Sequence, residues 1–488
     1  MRVVALAAAV AAITAALATA APRSRTGAST FSAAARQALA TLLGVYYGGD
    51  GAWKECNSRD CARANSDWGV DSLTYTLYLR WAVAHDSSIP PVMTSLVDTS
   101  PAYASSCLLP ACESWSDVPQ WDAIADIREY QVTGDSRALV NAAAAFRFAE
   151  DSDAFALGAC PDVRYQQPDG EINQLKTLET DGNAIKAAIL LYQATGDDAY
   201  LQSAVGRYAA VRSRFLDPRV PLYTVYVFDD GKACTQVPHR FFASVNGDMI
   251  WNGFELSKIT GRQAYLDEAL ATARAVAADL ADPAGVFADL QAENDIVEPL
   301  VEAMYVLASE AGSALARAWI LTNAAAAISA RGADGSFGRF FDGPPPQALV
   351  TAWQTNGGLA LEIAAAALEP GGIVPVTSRW DDARRSARSV GPAGSIRFTG
   401  SGIALLGTLG EACCEAGHAG VFVDGHETFD ETGIWQDKSS LGRAIPGTVL
   451  FAWRWAGSGP HELAFAPGEP NRKEGGAFLH LRAFRVLP

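Results

Sequence analysis

A Thr-Gly turn that recurs at a near-constant interval constrains the fold more than any other feature of the chain. Tyr130-Gln-Val-Thr-Gly-Asp135, Tyr192-Gln-Ala-Thr-Gly-Asp197 and Ser257-Lys-Ile-Thr-Gly-Arg262 each join two helical patterns, and their Thr-Gly pairs begin at 133, 195 and 260, steps of 62 and 65. In every copy the Gly is placed to stop the first helix in the left-handed conformation. A second helix follows at 137–150, 199–215 and 264–281, with apolar residues recurring at spacings of three and four. A unit of about sixty residues built as helix, turn and helix cannot bury its apolar face alone, so such units must stack or close on one another.

Fainter copies occupy the rest of the helical text. Residues 31–47 with 71–85 form one expected hairpin, 295–309 with 315–331 another, and 350–368 part of a last. Five to six hairpins between Phe31 and Glu369 is the number expected for a mainly α (α/α)6 toroid. An open superhelix is the alternative that periodicity leaves standing. The long interruptions carrying Trp and Asp, such as 218–243, favour the toroid, whose loops build a cleft at one end. After Glu369-Pro-Gly-Gly372 the pattern switches to period two, at 395–399, 403–407, 421–423, 449–455, 462–465 and 478–484, with a hairpin signal at Asp424-Gly425. The expected organisation is a signal peptide over 1–20, a toroid over 21–370 and an antiparallel, jelly-roll-like β-sandwich over 371–488. The basic start of the last part, 379–388, reads as a solvated face.

With 488 residues, 49% of them hydrophobic and 19% charged, the chain has room for two or three packed domains and is not a disordered one. Residues 1–20 carry a single basic group, Arg2, then an Ala/Val/Leu-rich run ending Ala18-Thr19-Ala20. That is the layout of a cleaved secretory signal. A membrane anchor is the alternative, though Thr14 and Thr19 interrupt the run and it barely reaches the ~20 apolar residues that a span requires. The mature protein is therefore expected outside the cell or in the cell wall, free of the membrane. Eight cysteines fit an oxidising compartment, with Cys56–Cys61, Cys107–Cys112 and Cys160–Cys234 as expected bridges. Spacing leaves the connectivity open, and the adjacent Cys413-Cys414 pair can be a vicinal bridge, two separate partners or two buried thiols.

Composition excludes several functions. A net charge of −16 disfavours a phosphate backbone, so no nucleic-acid partner is expected. Six scattered His and the lack of a Cys-x-x-Cys pair speak against a metal; His239 and His418 stand alone and read as structural or surface residues. The sequence holds no phosphate loop, no Gly-x-Ser-x-Gly elbow, no His-Glu-x-x-His helix and no Asn-x-Ser/Thr sequon. A monomer without cofactor, acting on a poly- or oligosaccharide, is the expectation.

The chemistry is read from the segment Trp115-Ser-Asp117-Val118-Pro-Gln-Trp121-Asp122-Ala-Ile-Ala-Asp126, which leads into the first Thr-Gly turn. Glycosidases need paired carboxylates, about 5 Å apart for retention or roughly 6.5 to 9.5 Å for inversion. Indoles supply the large flat surfaces on which sugar rings stack. The catalytic candidates are Asp117 and Asp122. Each has a plainer reading: Asp117, just before Pro119, as a helix N-cap; Asp122 and Asp126, with Arg128 and Glu129, as an exposed charged face; Trp121 as core.

This segment resembles glycoside hydrolase family 76, the α-1,6-mannanases, in the Asp-x-x-x-Trp pattern that leads into Tyr-x-x-Thr-Gly-Asp. The likeness continues through Asp181-Gly-Asn-Ala-Ile to Asp197, through Asn246-Gly-Asp-Met-Ile-Trp-Asn-Gly253, and more weakly to Asn294-Asp295-Ile-Val-Glu-Pro299, covering about Trp53 to Leu368. It implies an (α/α)6 fold and two adjacent aspartates at the helix mouth, one the nucleophile and one the acid/base. Here only the first is present, as Asp117, and Val118 cannot transfer a proton. Either another carboxylate, Asp122, takes the second role, or hydrolysis is lost and binding kept. Trp68, Trp121, Asp181, Asn246, Asp248 and Trp251 are the candidate substrate-binding residues, with capping as the alternative for Asp181 and Asp248. The C-terminal part resembles galactose-binding-like sandwiches, with Trp435, Trp453 and Trp455 as sugar-platform candidates and core packing as the alternative for the last two.

The functional expectation is a secreted glycosidase acting on a polysaccharide such as α-mannan. A glycan- or wall-binding protein on the same fold is the alternative. A lyase or unsaturated-uronide hydrolase is a third reading, against which the negative charge counts mildly.

Overall fold

The computed structural model describes residues 30–47, 53–54, 67–98, 115–150, 157–165, 174–282 except 239, 284–287, 296–332, 335–337, 341, 352–369, 394–409, 419–427, 445–467 and 481–487. The expected signal peptide lies outside them. No helix among the described residues is long and apolar enough to cross a membrane.

Helices alternate between an inner and an outer ring. The inner helices are α2 (Asp67–Ala84), α4 (Val118–Thr133), α6 (Leu178–Thr195), α8 (Ala243–Thr260), α10 (Glu298–Ser309) and α12 (Ala352–Leu368); each packs on the next, and α12 packs back on α2. The outer helices are α1 (Phe31–Thr41), α3 (Ile89–Asp98), α5 (Ser136–Glu150), α7 (Asp198–Phe215), α9 (Gln263–Asp279) and α11 (Ala314–Ala330). The ring is closed, so the (α/α)6 toroid stands and the open superhelix is excluded.

Sequence dictates which helix goes where. α4 is buried without a break from Val118 to Glu129, α6 from Thr180 to Leu191 and α8 from Ala243 to Leu256, as only a helix enclosed on all sides can be. In α5, by contrast, Ala138, Ala142, Ala145, Phe146 and Ala149 are buried in a single stripe, the pattern of an outer layer.

The repeated turn has a specific geometry. Gly134, Gly196 and Gly261 adopt φ of 75°, 72° and 71° and return their N–H groups to the carbonyls of Tyr130, Tyr192 and Ser257. The preceding Thr hydroxyl donates to a carbonyl four residues back, as Thr133 does to Glu129 at 2.9 Å, and accepts the N–H two residues on, from Asp135, Asp197 or Arg262. Thr and Gly thus satisfy orphan groups at a helix end, which explains why the pair recurs.

One local expectation gives way. Residues 31–47 do not form a hairpin with 71–85: α1 seals the ring by packing on α12, and α2 pairs with α3. α3 carries Pro90 and Pro91 in its first turn, where no N–H bond is lost.

α8 and α10 meet at Gly247. A Cβ there would fall 2.3 Å from the Leu300 backbone nitrogen and 2.5 Å from its Cα. Backbone cannot yield as a side-chain tip can, so Gly247→Ala is expected to destabilise the ring by about 1–3 kcal/mol or more. Urea unfolding checks this, and a midpoint equal to that of the parent chain would refute the close approach.

A small antiparallel sheet, β1 (Leu175–Thr177), β2 (Tyr226–Asp229) and β3 (Cys234–Gln236), is built from the segments that enter α6 and α8. The expected Cys160–Cys234 disulfide, Cα–Cα 5.8 Å, fastens residues 157–165 to it. Cys56, Cys61, Cys107, Cys112, Cys413 and Cys414 lie outside the described residues.

The C-terminal part is antiparallel as expected. β4 (Gly394–Leu409), β5 (Ala419–Val423), β6 (His426–Glu427), β7 (Ile445–Pro467) and β8 (Leu481–Leu487) form one sheet in the order β6-β5-β7-β4-β8. β4 and β7 each absorb two expected strands, because a bulge between Gly400 and Gly402 lets the pairing run on where Gly suggested a turn. Ile403, Leu405, Val421, Phe451, Trp453 and Leu463 form its buried side. Trp453 is core, Trp455 is half-buried with its indole N–H on Asp424 at 2.7 Å, and Trp435 is outside the described residues. The Asp424-Gly425 corner has positive φ at both positions, as the hairpin signal required.

Candidate active site

The Thr-Gly turns gather at one end of the ring, so the loops that feed the inner helices gather at the other. Asp117 sits there, at the start of α4. Its backbone is already helical, with φ −83° and ψ −27°, and its carbonyl accepts from the amides of Gln120 and Trp121 at 2.9 and 3.0 Å. Its side chain caps nothing. Instead, one carboxylate oxygen accepts the Trp121 indole N–H at 3.2 Å. Asp117 thus holds the N-cap position without the side-chain cap bond that the plainer reading called for. Asp117 keeps part of its surface open to solvent, and burial of the rest pushes its pKa up to about 6, with its own backbone N–H, the indole N–H and the Val118 N–H pulling the other way.

Trp121 itself is buried and lies edge-on to Tyr75 of α2, ring centroids 5.7 Å apart. Its indole N–H is spent on Asp117 and its rings are enclosed by protein. Val118 is enclosed between helices. Asp122 and Asp126 are buried as well, which removes the exposed-charged-face reading.

Deeper in the ring, charges from four inner helices interlock. Lys186 of α6 reaches Asp248 of α8 at 3.2 Å and Glu302 of α10 at 2.6 Å, while Arg128 of α4 pairs with Glu302. Tyr75 and Trp251 face the Lys186 ammonium at 4.2 and 4.8 Å, and Tyr78 lies 3.8 Å from the Arg128 guanidinium. Two cations balance two anions. Burial pushes Asp248 up to about 6, against the pull of Lys186. Burial acts on Glu302 in the same sense, yet Arg128 and Lys186 together hold it below the usual value. Four buried charges from four inner helices thus pair with one another inside the ring, and together they form its floor.

That floor claims two of the expected substrate-binding residues, Asp248 and Trp251. Two others serve the wall. Asp181 is fully buried, and its carboxylate takes the Arg164 amide at 2.9 Å and the guanidiniums of Arg164 and Arg207 at 3.1 and 2.5 Å. Asn246 spends its amide on Tyr223 and Phe242 backbone groups at 2.9 to 3.0 Å. Each side chain is hydrogen-bonded to protein partners in this structure. Trp68 falls on α2, with its side chain outside the described part. Of the catalytic candidates, Asp117 alone combines an open surface with a carboxylate free of ion pairs in this geometry.

Lys186 and Glu302 were not singled out from the sequence, and Arg128 was read only as part of an exposed charged face. A signal was present: Lys186 interrupts Ala184-Ile-Lys-Ala-Ala-Ile-Leu-Leu191, and a lone cation in a helix apolar all round needs a buried partner. Among the described residues no group of His, Cys, Asp and Glu is arranged to hold a metal ion.

No protein-family model matches the chain, and no curated protein matches it in sequence. Solved structures do match. An α-1,6-mannanase of Salegentibacter sp. shares 21% identity at a TM-score of 0.59, over 70% of this chain and 100% of that one. Its inactive variant, with two consecutive aspartates replaced and α-1,6-mannotetrose bound, superposes with TM-score 0.61 at 20% identity, again over 70% and 100%. A family 76 glycoside hydrolase (mannosidase) of Bacteroides thetaiotaomicron shares 16% identity at 0.56, over 69% of this chain and 98% of that one. The helical part of this chain therefore has the fold of the family 76 glycoside hydrolases.

Proposed function

We propose that the chain is a secreted glycoside hydrolase acting on α-1,6-linked mannan, with Asp117 as its reacting carboxylate. The observation that carries this is the state of Asp117: at the loop-bearing end of the ring, partly open, uncapped and aligned by an indole N–H. The fold it shares with α-1,6-mannanases supports the substrate class, and the inactive variant of one of them lacks two consecutive aspartates. Asp117 works ionised, as nucleophile or as the base that activates water. Since Val118 holds no proton, the departing sugar oxygen needs an acid from elsewhere. Asp122, five residues further along α4 and buried, is the partner carboxylate we assign from the sequence.

The role fixes a pH dependence. Asp117 must lose its proton to act, so kcat/KM should rise as pH passes through about 6. Stability runs the other way. A carboxyl whose folded pKa lies above its ordinary 3.8 favours the folded state at low pH, and that contribution is lost as pH climbs from about 4 through about 6. A pH–rate profile that is flat between pH 5 and 7 would contradict the assignment.

Val118 favours a second reading, a protein that holds the glycan without cutting it. Reducing-end release from α-1,6-mannan, run beside calorimetric binding, separates the two. Release supports hydrolysis, tight binding without release supports the second reading, and neither would remove both.

A further inference from the structure

Two indoles flank Asp117, and they are in opposite states. Trp121 is buried and donates to the carboxylate, whereas Trp115, two positions before it, is 42% exposed. Among the described residues the other large apolar side chains that stand open are aliphatic: Val140, Leu157 and Leu315. An indole left in water keeps a broad apolar face unburied, and a hexopyranose offers a matching C–H face with hydroxyls at its rim. The chain can separate the Trp115 and Asp117 backbones by no more than ~7 Å, about the length of one sugar unit.

The residues between and beside them point to a hydroxyl-rich ligand. Ser116 has a buried hydroxyl, and Gln120 a buried amide at both its oxygen and nitrogen, without a hydrogen-bond partner among the described residues. Buried polar groups of this kind are satisfied by water or by a ligand.

We propose that Trp115 is the stacking platform of the glycan subsite adjoining Asp117, receiving the apolar face of a mannopyranosyl unit. This rests on the reading of the chain as a mannan-acting protein. The indole is 42% exposed, so the thermal midpoint of each variant is read beside its affinity.

The test uses the full chain carrying Asp117→Asn, so that bound sugar is not consumed, and α-1,6-mannotetraose as the titrant in calorimetry. Adding Trp115→Ala is expected to weaken binding about tenfold while the thermal midpoint stays within a degree or so, and Trp115→Phe is expected to restore most of the affinity. In the chain with Asp117 intact, Trp115→Ala should raise KM with little change in kcat. Equal affinities for Trp115→Ala and its parent would overturn the platform and leave the mannan reading in place. No binding by the Asp117→Asn chain or by the unaltered protein would overturn both.

Discussion

Asp117→Asn is expected to cut turnover of α-1,6-mannan by roughly a thousandfold or more, while oligosaccharide affinity changes by only a few-fold. Asn keeps the size of Asp and can still accept the Trp121 N–H, so the start of α4 has no reason to move. What is lost is the negative charge that attacks carbon or draws a proton from water. The smaller dependence on affinity follows because a neutral amide still fills the same space beside the bound sugar. Steady-state kinetics with calorimetry on one preparation separates the two quantities. Equal turnover by both proteins would remove Asp117 from the mechanism.

Lys186→Met is expected to destabilise the chain by about 3–5 kcal/mol at neutral pH. Met matches the length of Lys, so the space stays filled, but Asp248 and Glu302 then face each other with Arg128 as their remaining cation among the described partners. The deficit should shrink as pH falls, because protonating Asp248 or Glu302 removes the uncompensated charge. Adding Glu302→Gln to Lys186→Met should cost less than the sum of the two single changes, since both belong to one network. Urea unfolding at pH 5 and pH 7 measures this. A loss below about 1 kcal/mol at pH 7 would mean that the network is not holding the ring together.

The ring was legible because its signal is local and repeated. Thr133, Thr195 and Thr260 each close the same pair of hydrogen bonds, and the unbroken apolar text of α6 and α8 allows no outward face. Closure through α1 and α12 was not legible, since it joins elements more than 300 positions apart that carry no turn motif. In the site, Asp117 was visible as an acid at a loop-to-helix junction, but that its side chain makes no cap bond depended on a backbone already helical at that position. Asp181 and Asn246 looked the same in sequence. Their fates were set by Arg164, Arg207 and Tyr223, which approach from other segments and leave no mark in the local motif. Trp121 and Trp115 differ in the same way, one buried and one left partly open to solvent.

The most direct measurement is a proton NMR time course of α-1,6-mannotetraose with the purified full-length protein and with Asp117→Asn. The account predicts new reducing-end anomeric signals that grow with the unaltered protein and stay absent with the variant. A substrate spectrum that remains unchanged under saturating unaltered protein, or that changes equally with both, would contradict it.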